Sequence, residues 1–234
     1  CSASLSIGSL LILFFDAPEG VFLTNQRSGG KRKKTHLRFV LKSVTHYQHK
    51  KDGLMPRNLP LGNGNLLVAF DDHYQIRDLY WPHVGQENHA LGHPFRMGVW
   101  VNGQLRWLDD SRWQRSLRYQ PETLVTDVTL KHPDFDIEIH AQDAVDFHEN
   151  LLVRRFEIKN LSDRASEVRL FFHHDFHIAG HEVGDTAYYE PDRRAVLHYK
   201  GARWFLINGA VVPEALGENS YLAPTEDTYP GLAV

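Results

Sequence analysis

The chain has 234 residues, 42% of them apolar and 24% charged, with a formal net charge of −3. That is enough chain for one large β domain or two ordinary ones, and too apolar for global disorder. Cys1 is the sole cysteine, which excludes a disulfide scaffold, a thiolate metal site and a cysteine nucleophile elsewhere in the chain. Charge is uneven. Residues 1–54 carry nine Lys/Arg against three acidic residues, and the remainder 17 against 26.

The first methionine is Met55. Leu5 to Phe15 is an apolar run too short to span a bilayer as a helix. It resembles the apolar region of a signal peptide, but no basic residue precedes it and no clear small-residue cleavage site follows. Gly29 to Lys34, Gly-Gly-Lys-Arg-Lys-Lys, lacks the interleaved aromatics of a nucleic-acid surface. Residues 1–54 are therefore read as a non-native or disordered basic extension, with Met55 as the natural start. No nucleic-acid partner is expected.

From Leu59 the apolar residues alternate as in strands. Leu61-Gly62-Asn63-Gly64-Asn65 precedes a strand, not a helix, so it reads as a tight turn and not a phosphate loop. Leu66–Phe70 and Tyr74–Tyr80 read as a hairpin. Met97–Val101 and Gln104–Leu108 flank Asn102-Gly103, the pair that best tolerates positive φ at both positions of a type I′ turn. Thr123–Leu130 places Leu124, Thr126, Val128 and Leu130 on one face. Phe135–Ala141 places Phe135, Ile137, Ile139 and Ala141 inward. Leu151–Ile158 and Glu167–Ile178 follow, and then Ala195–Tyr199 and Arg203–Ile207 flank Lys200-Gly201. Short strands with regular turn punctuation define an all-β class, a large antiparallel sandwich over 55–209. Alternation fades after Gly209, so 210–234 reads as an irregular tail, a truncation or a frameshift.

Three groups of residues could carry chemistry. On a continuous strand His173, Asp175 and His177 share one face, with His181 just beyond. Such a row is either a polar face packed on a loop or domain, or, as the minority reading, a metal site. Trp81, Gln86, Glu87 and His89 follow a turn and pair an aromatic with amides and carboxylates, a composition that suits sugars or a structural loop. Asp185, Tyr188 and Tyr189 raise the same two possibilities. Asp143, Asp146 and Glu149 are close enough in sequence for a glycosidase carboxylate pair, but solvated or turn-capping roles fit better.

Several long segments carry a resemblance: LGNGNLLVAF, RDLYWPHVGQENH, DAVDFHENLLVRR, LFFHHDFHI and HEVGDTAYYEP. Together they make Met55 to Gly209 similar to the N-terminal β-sandwich of bacterial glucoamylase-type enzymes, glycoside hydrolase family 15. The resemblance implies a supersandwich of galactose mutarotase-like type preceding an (α/α)6 barrel. That barrel would supply two glutamates and cleave α-glucans with inversion. No catalytic residue maps onto this chain, since the barrel would lie beyond Val234. The implied role is a non-catalytic domain, inactive alone, whose partners are its own barrel and an α-glucan or oligosaccharide. Trp81, Gln86, Glu87, His89, His173, Asp175, His177, His181, Asp185, Tyr188 and Tyr189 become candidate interdomain or substrate contacts. The alternatives are an autonomous carbohydrate-binding module and a sugar mutarotase. No cofactor and no membrane partner is expected, and with Met55 as the start the location is the cytoplasm.

Overall fold

The computed structural model describes residues 4–16, as backbone, and residues 58–209. In chain order the strands are β1 (Ser4–Asp16), β2 (Leu59–Gly62), β3 (Leu67–Phe70), β4 (Ile76–Tyr80), β5 (Arg96–Val101), β6 (Gln104–Trp107) and β7 (Gln114–Tyr119). They continue with β8 (Thr126–Lys131), β9 (Ile137–Val145), β10 (Leu151–Asn160), β11 (Val168–His173), β12 (Thr186–Glu190), β13 (Ala195–Lys200) and β14 (Arg203–Gly209). A single 3-10 turn, Ile178–Gly180, interrupts them. The fold is all-β, as the alternation predicts.

Three antiparallel sheets result. An eight-stranded sheet runs β12-β13-β14-β1-β10-β9-β8-β7, and two three-stranded sheets run β11-β5-β6 and β2-β3-β4. One apolar core joins them: Leu61, Val68, Phe70 and Leu79 from one small sheet, Met97 and Val99 from the other, and Val128, Ile139, Leu152, Phe156 and Phe205 from the large one. Phe156 on β10 meets Phe172 on β11 with ring centroids 5.4 Å apart, a contact across the sandwich. Inward positions alternate with half-buried ones along β8 and β9, the period expected of a sheet buried on one face.

A buried polar knot crosses the core. Asp143 accepts Nε–H of Arg154 at 2.7 Å, the hydroxyl of Tyr74 at 2.6 Å and that of Thr126 at 2.7 Å. Tyr74 enters from the turn before β4, so this carboxylate ties the small sheet to three strands of the large one. Burial first, and then the Asp143 charge, push the Tyr74 hydroxyl well above its usual pKa, so it remains a donor. The Arg154 guanidinium lies 5.1 Å from the Phe70 ring centroid and 5.0 Å from that of Tyr74, an aromatic enclosure for a desolvated cation.

Local turn chemistry follows the sequence. Asn102 and Gly103 take φ of 47° and 96°, the left-handed pair of a type I′ turn. Asn63 Oδ1 accepts the amides of Asn65 and Leu66, making Leu61–Asn65 a turn into β3. The hairpins β3–β4 and β13–β14 pair as expected.

Three local expectations need correction. Leu124 is 41% exposed, because β8 starts only at Thr126. Phe135 is buried but precedes β9 instead of lying in it. The strand expected over Glu167–Ile178 stops at His173. Its partner explains why: Phe172 pairs with Met97 and His173 with Arg96, so the register would set Asp175 opposite Pro94, which has no N–H to give. Phe95 turns away to pair with Ile76 instead. Residues 4–16, within the stretch read as an extension, form β1 between β10 and β14. The continuous apolar stretch Leu10–Phe15 suits a central strand, and without β1 two edges would be open. The proposed start at Met55 and the tail 210–234 lie outside the described residues.

Candidate functional site

The candidate residues converge where two connections meet the β13–β14 hairpin: the loop from Trp81 to Pro94 and the segment from His174 to Asp185. Lys200 and Arg203, paired at the mouth of that hairpin, hold one connection each.

Trp81 is 2% exposed, so its ring is not offered to a ligand. It packs edge-on against Phe205 at 6.0 Å, with the Arg203 guanidinium 5.4 Å from its ring. Arg203 grips Glu87 with two bonds, Nε to Oε2 at 2.9 Å and Nη2 to Oε1 at 2.8 Å. Those bonds hold the Glu87 carboxyl below its usual pKa, so it is ionised near neutrality and unsuited to donate a proton.

His89 is fully buried. Its Nε2 lies 2.6 Å from the carbonyl of Trp81, and its Nδ1 accepts the amide of Ala179 at 3.2 Å. The two partners assign the neutral Nε2–H tautomer, and burial depresses its pKa in the same sense. The His89 carbonyl also accepts the His177 amide at 2.8 Å. Both ring nitrogens are committed, so His89 is a clasp between the two connections and has no nitrogen left for chemistry. Gln86, on the same loop, is exposed.

Lys200 is the second hub. Its ammonium donates to the carbonyls of Ile178 (2.8 Å) and His181 (2.5 Å), lies 2.8 Å from His181 Nδ1, and pairs with Asp185 Oδ1 at 3.3 Å. Asp185 Oδ2 accepts the Ile178 amide at 3.0 Å. Tyr188, on β12, is 37% exposed and meets Tyr199 edge-on, while Tyr189 is half-buried. β12 itself was not expected from the sequence.

The expected row of His173, Asp175 and His177 is not formed, since β11 ends at His173. That histidine is exposed at the strand end. Asp175 and His177 do come together, and their third partner is His93 from the other connection. His93 Nδ1 lies 3.6 Å from Asp175 Oδ2, and His177 Nε2 lies 3.5 Å from Asp175 Oδ1. The three offer donor atoms all within 4.8 Å of one another. His93, Lys200 and Arg203 are the residues the sequence reading missed. The only local hint was His93 following Gly92, whose φ of 79° marks a sharp reversal.

Two of the three carboxylates weighed as a glycosidase pair are occupied. Asp143 is locked by Arg154, and Asp146 Oδ1 caps the amides of His148 and Glu149 at 2.8 Å each. Both are structural, as the sequence suggested.

Fold and site together define an all-β domain in which Glu87 and Asp185 fasten two loops to the β13–β14 hairpin. Among the described residues, no helix is long and apolar enough to cross a membrane. No family model matches the chain. It is 28% identical over 147 residues to a protein of Methanocaldococcus jannaschii named as an uncharacterized glycosyl hydrolase. That match covers 63% of this chain but 23% of the relative, so the chain spans under a quarter of the protein it matches. The chain is thus related, at a distance, to a protein carrying the name of a glycosidase.

Proposed function

We propose that this chain is the non-catalytic N-terminal β domain of a glucoamylase-like glycoside hydrolase of family 15. Its work is to pack against a catalytic barrel and support it. The relation to part of a much longer protein named as a glycosyl hydrolase carries the reading. The site adds support of a negative kind that is still chemical. Glu87 and Asp185 are each bound to a cation, and Asp143 is buried in an ion pair, so these carboxylates are not poised as an acid and base. The α-glucan substrate and the inverting chemistry would then belong to the barrel.

The purified chain, incubated with maltooligosaccharides, is expected to release no glucose. Sequencing the coding DNA past codon 234 is expected to find a helical-repeat region bearing two glutamates. Glucose release by the chain itself, abolished by substitution within it, would overturn the reading. So would a downstream region encoding some other kind of domain.

A further inference from the structure

Two imidazoles and a carboxylate meet at a spot for which the packing role has no use. We propose that His93, Asp175 and His177 form a binding site for a divalent transition metal of the zinc class. The site stands whether or not the domain supports a barrel.

Separation is the first argument. Two donors each about 2.1 Å from a tetrahedral ion stand about 3.4 Å apart. The imidazole nitrogens lie 3.6 and 3.5 Å from the two Asp175 oxygens, too long for good hydrogen bonds and close to that spacing. Both Asp175 oxygens therefore face a ring nitrogen without being satisfied by it.

The second argument is the outer shell. A histidine that ligates a metal through one nitrogen usually donates its other N–H to a carboxylate or carbonyl. His177 turns Nε2 toward Asp175, and its Nδ1 lies 3.6 Å from Glu182 Oε2. That Nδ1 is buried and makes no hydrogen bond. A small closing movement of the exposed Glu182 supplies the missing partner and fixes the tautomer that leaves the Nε2 lone pair for the ion.

The backbone is already held. The His93 amide donates to Ala90 at 2.8 Å, and the His177 amide to His89 at 2.8 Å. Phe95 and Phe176, which flank the ligands in sequence, are both buried and pack with centroids 4.7 Å apart. That pair brings the two segments together before any ion arrives. The His93 and His177 rings stack at 3.8 Å and 17°, so one must turn for both lone pairs to reach a common ion. His93 has the room: its side chain is 49% exposed, against 12% for His177, and the terminal torsion of histidine is broad. Two nitrogens and one oxygen select zinc, cobalt, nickel or copper over calcium and magnesium, which prefer oxygen. Water completes the sphere. A second cluster, Asp71, Asp72 and His73, is a weaker rival, because Asp71 Oδ1 is already accepting the amides of His73 and Gln75 at 2.9 Å each.

The test is titration of the metal-stripped chain with CoCl2, then displacement by ZnCl2. The expected result is an intense visible absorption, as four-coordinate cobalt gives, saturating at one equivalent and bleached by zinc. His93→Ala and Asp175→Asn should each weaken cobalt binding at least about tenfold, and Glu182→Gln should weaken it by about tenfold through His177. His73→Ala should leave it unchanged. The His93 and Asp175 side chains are 49% and 41% exposed, so their variants should keep the parent far-ultraviolet circular dichroism. Absence of a saturable band would overturn the proposal. So would a band that persists at full strength in His93→Ala and Asp175→Asn, or one that vanishes in His73→Ala.

Discussion

His198 on β13 makes the sandwich sensitive to acid in a way that can be worked out and isolated. Its ring is partly buried, with Phe176 at 4.5 Å and the His174 ring at 6.1 Å. Desolvation pushes its pKa down to about 4, while in the unfolded chain it returns to about 6.5. His174 is displaced in the same direction, by burial first and then by the charge His198 acquires. The folded state therefore binds fewer protons than the unfolded state between these two values. Stability is fully present above about pH 6.5 and is lost as pH falls toward about 4. Between about pH 7 and about pH 4.5 the His198 difference integrates to about 2.5 kcal/mol, or about 2 kcal/mol once partial exposure is allowed for. The assay is urea unfolding of the parent chain and His198→Gln at both pH values. Carboxylates that titrate in this range do so in both proteins, and any fixed cost of the substitution cancels in the double difference. The variant should lose about 2 kcal/mol less than the parent on acidification, somewhat more if His174 is relieved of its neighbour's charge. Equal acid losses in the two proteins would refute the reasoning.

Two further substitutions probe the fold that carries the site. Arg154→Met keeps the aromatic enclosure filled but leaves the Asp143 carboxylate buried with hydroxyls only; it should cost about 3–5 kcal/mol, measured by denaturant midpoint at neutral pH. The double variant Arg154→Met/Asp143→Asn should recover part of that loss, and no recovery would show that the cost lies in packing. Gly62→Ala would set a Cβ 2.7 Å from the Leu66 carbonyl, a backbone atom that cannot swing aside. It should destabilise by about 1–3 kcal/mol, and a neutral result would show that the Leu61–Asn65 turn relaxes freely.

What the sequence made legible was whatever is decided within a few residues. Asn102-Gly103 dictates its turn because positive φ is a property of those two residues alone. The inward residues of β9 follow from alternation. The end of β11 is different, since the residue that stops it is Pro94, far off in sequence and brought opposite only by strand pairing. The same holds for Trp81. A tryptophan beside amides in a loop suits a sugar platform or a structural anchor alike, and only the arrival of Phe205 and Arg203 from β14 decides that it is buried. His93 was invisible as a partner of Asp175 for the same reason. β1 differs in another way: a largely apolar run such as Leu10–Phe15 carries the same local signal in a leader and in a strand.

The pattern of what is satisfied bears on what the domain meets. Glu87 is neutralised by Arg203 and Asp185 by Lys200, the two cations standing opposite each other at the base of one hairpin. His89 spends both nitrogens on backbone. A surface built to bind a polar ligand keeps donors and acceptors unspent and aimed outward; here Glu87, His89 and Asp185 are turned inward to fix the loops, and the unspent cluster is that of His93, Asp175 and His177. What these connections leave outward includes Val84 at 42% exposure, Val183 at 74% and the neutral amide of Gln86, together with His83, His93, His181 and Glu182, and the Tyr188 ring lies beside them on β12. Loops fastened by internal ion pairs and showing some apolar side chains suit the proposed packing surface, because less order is lost on contact. Under the proposed packing role, the polar residues that look functional in the sequence would be the fastenings, and the plainer ones between them would make the contact.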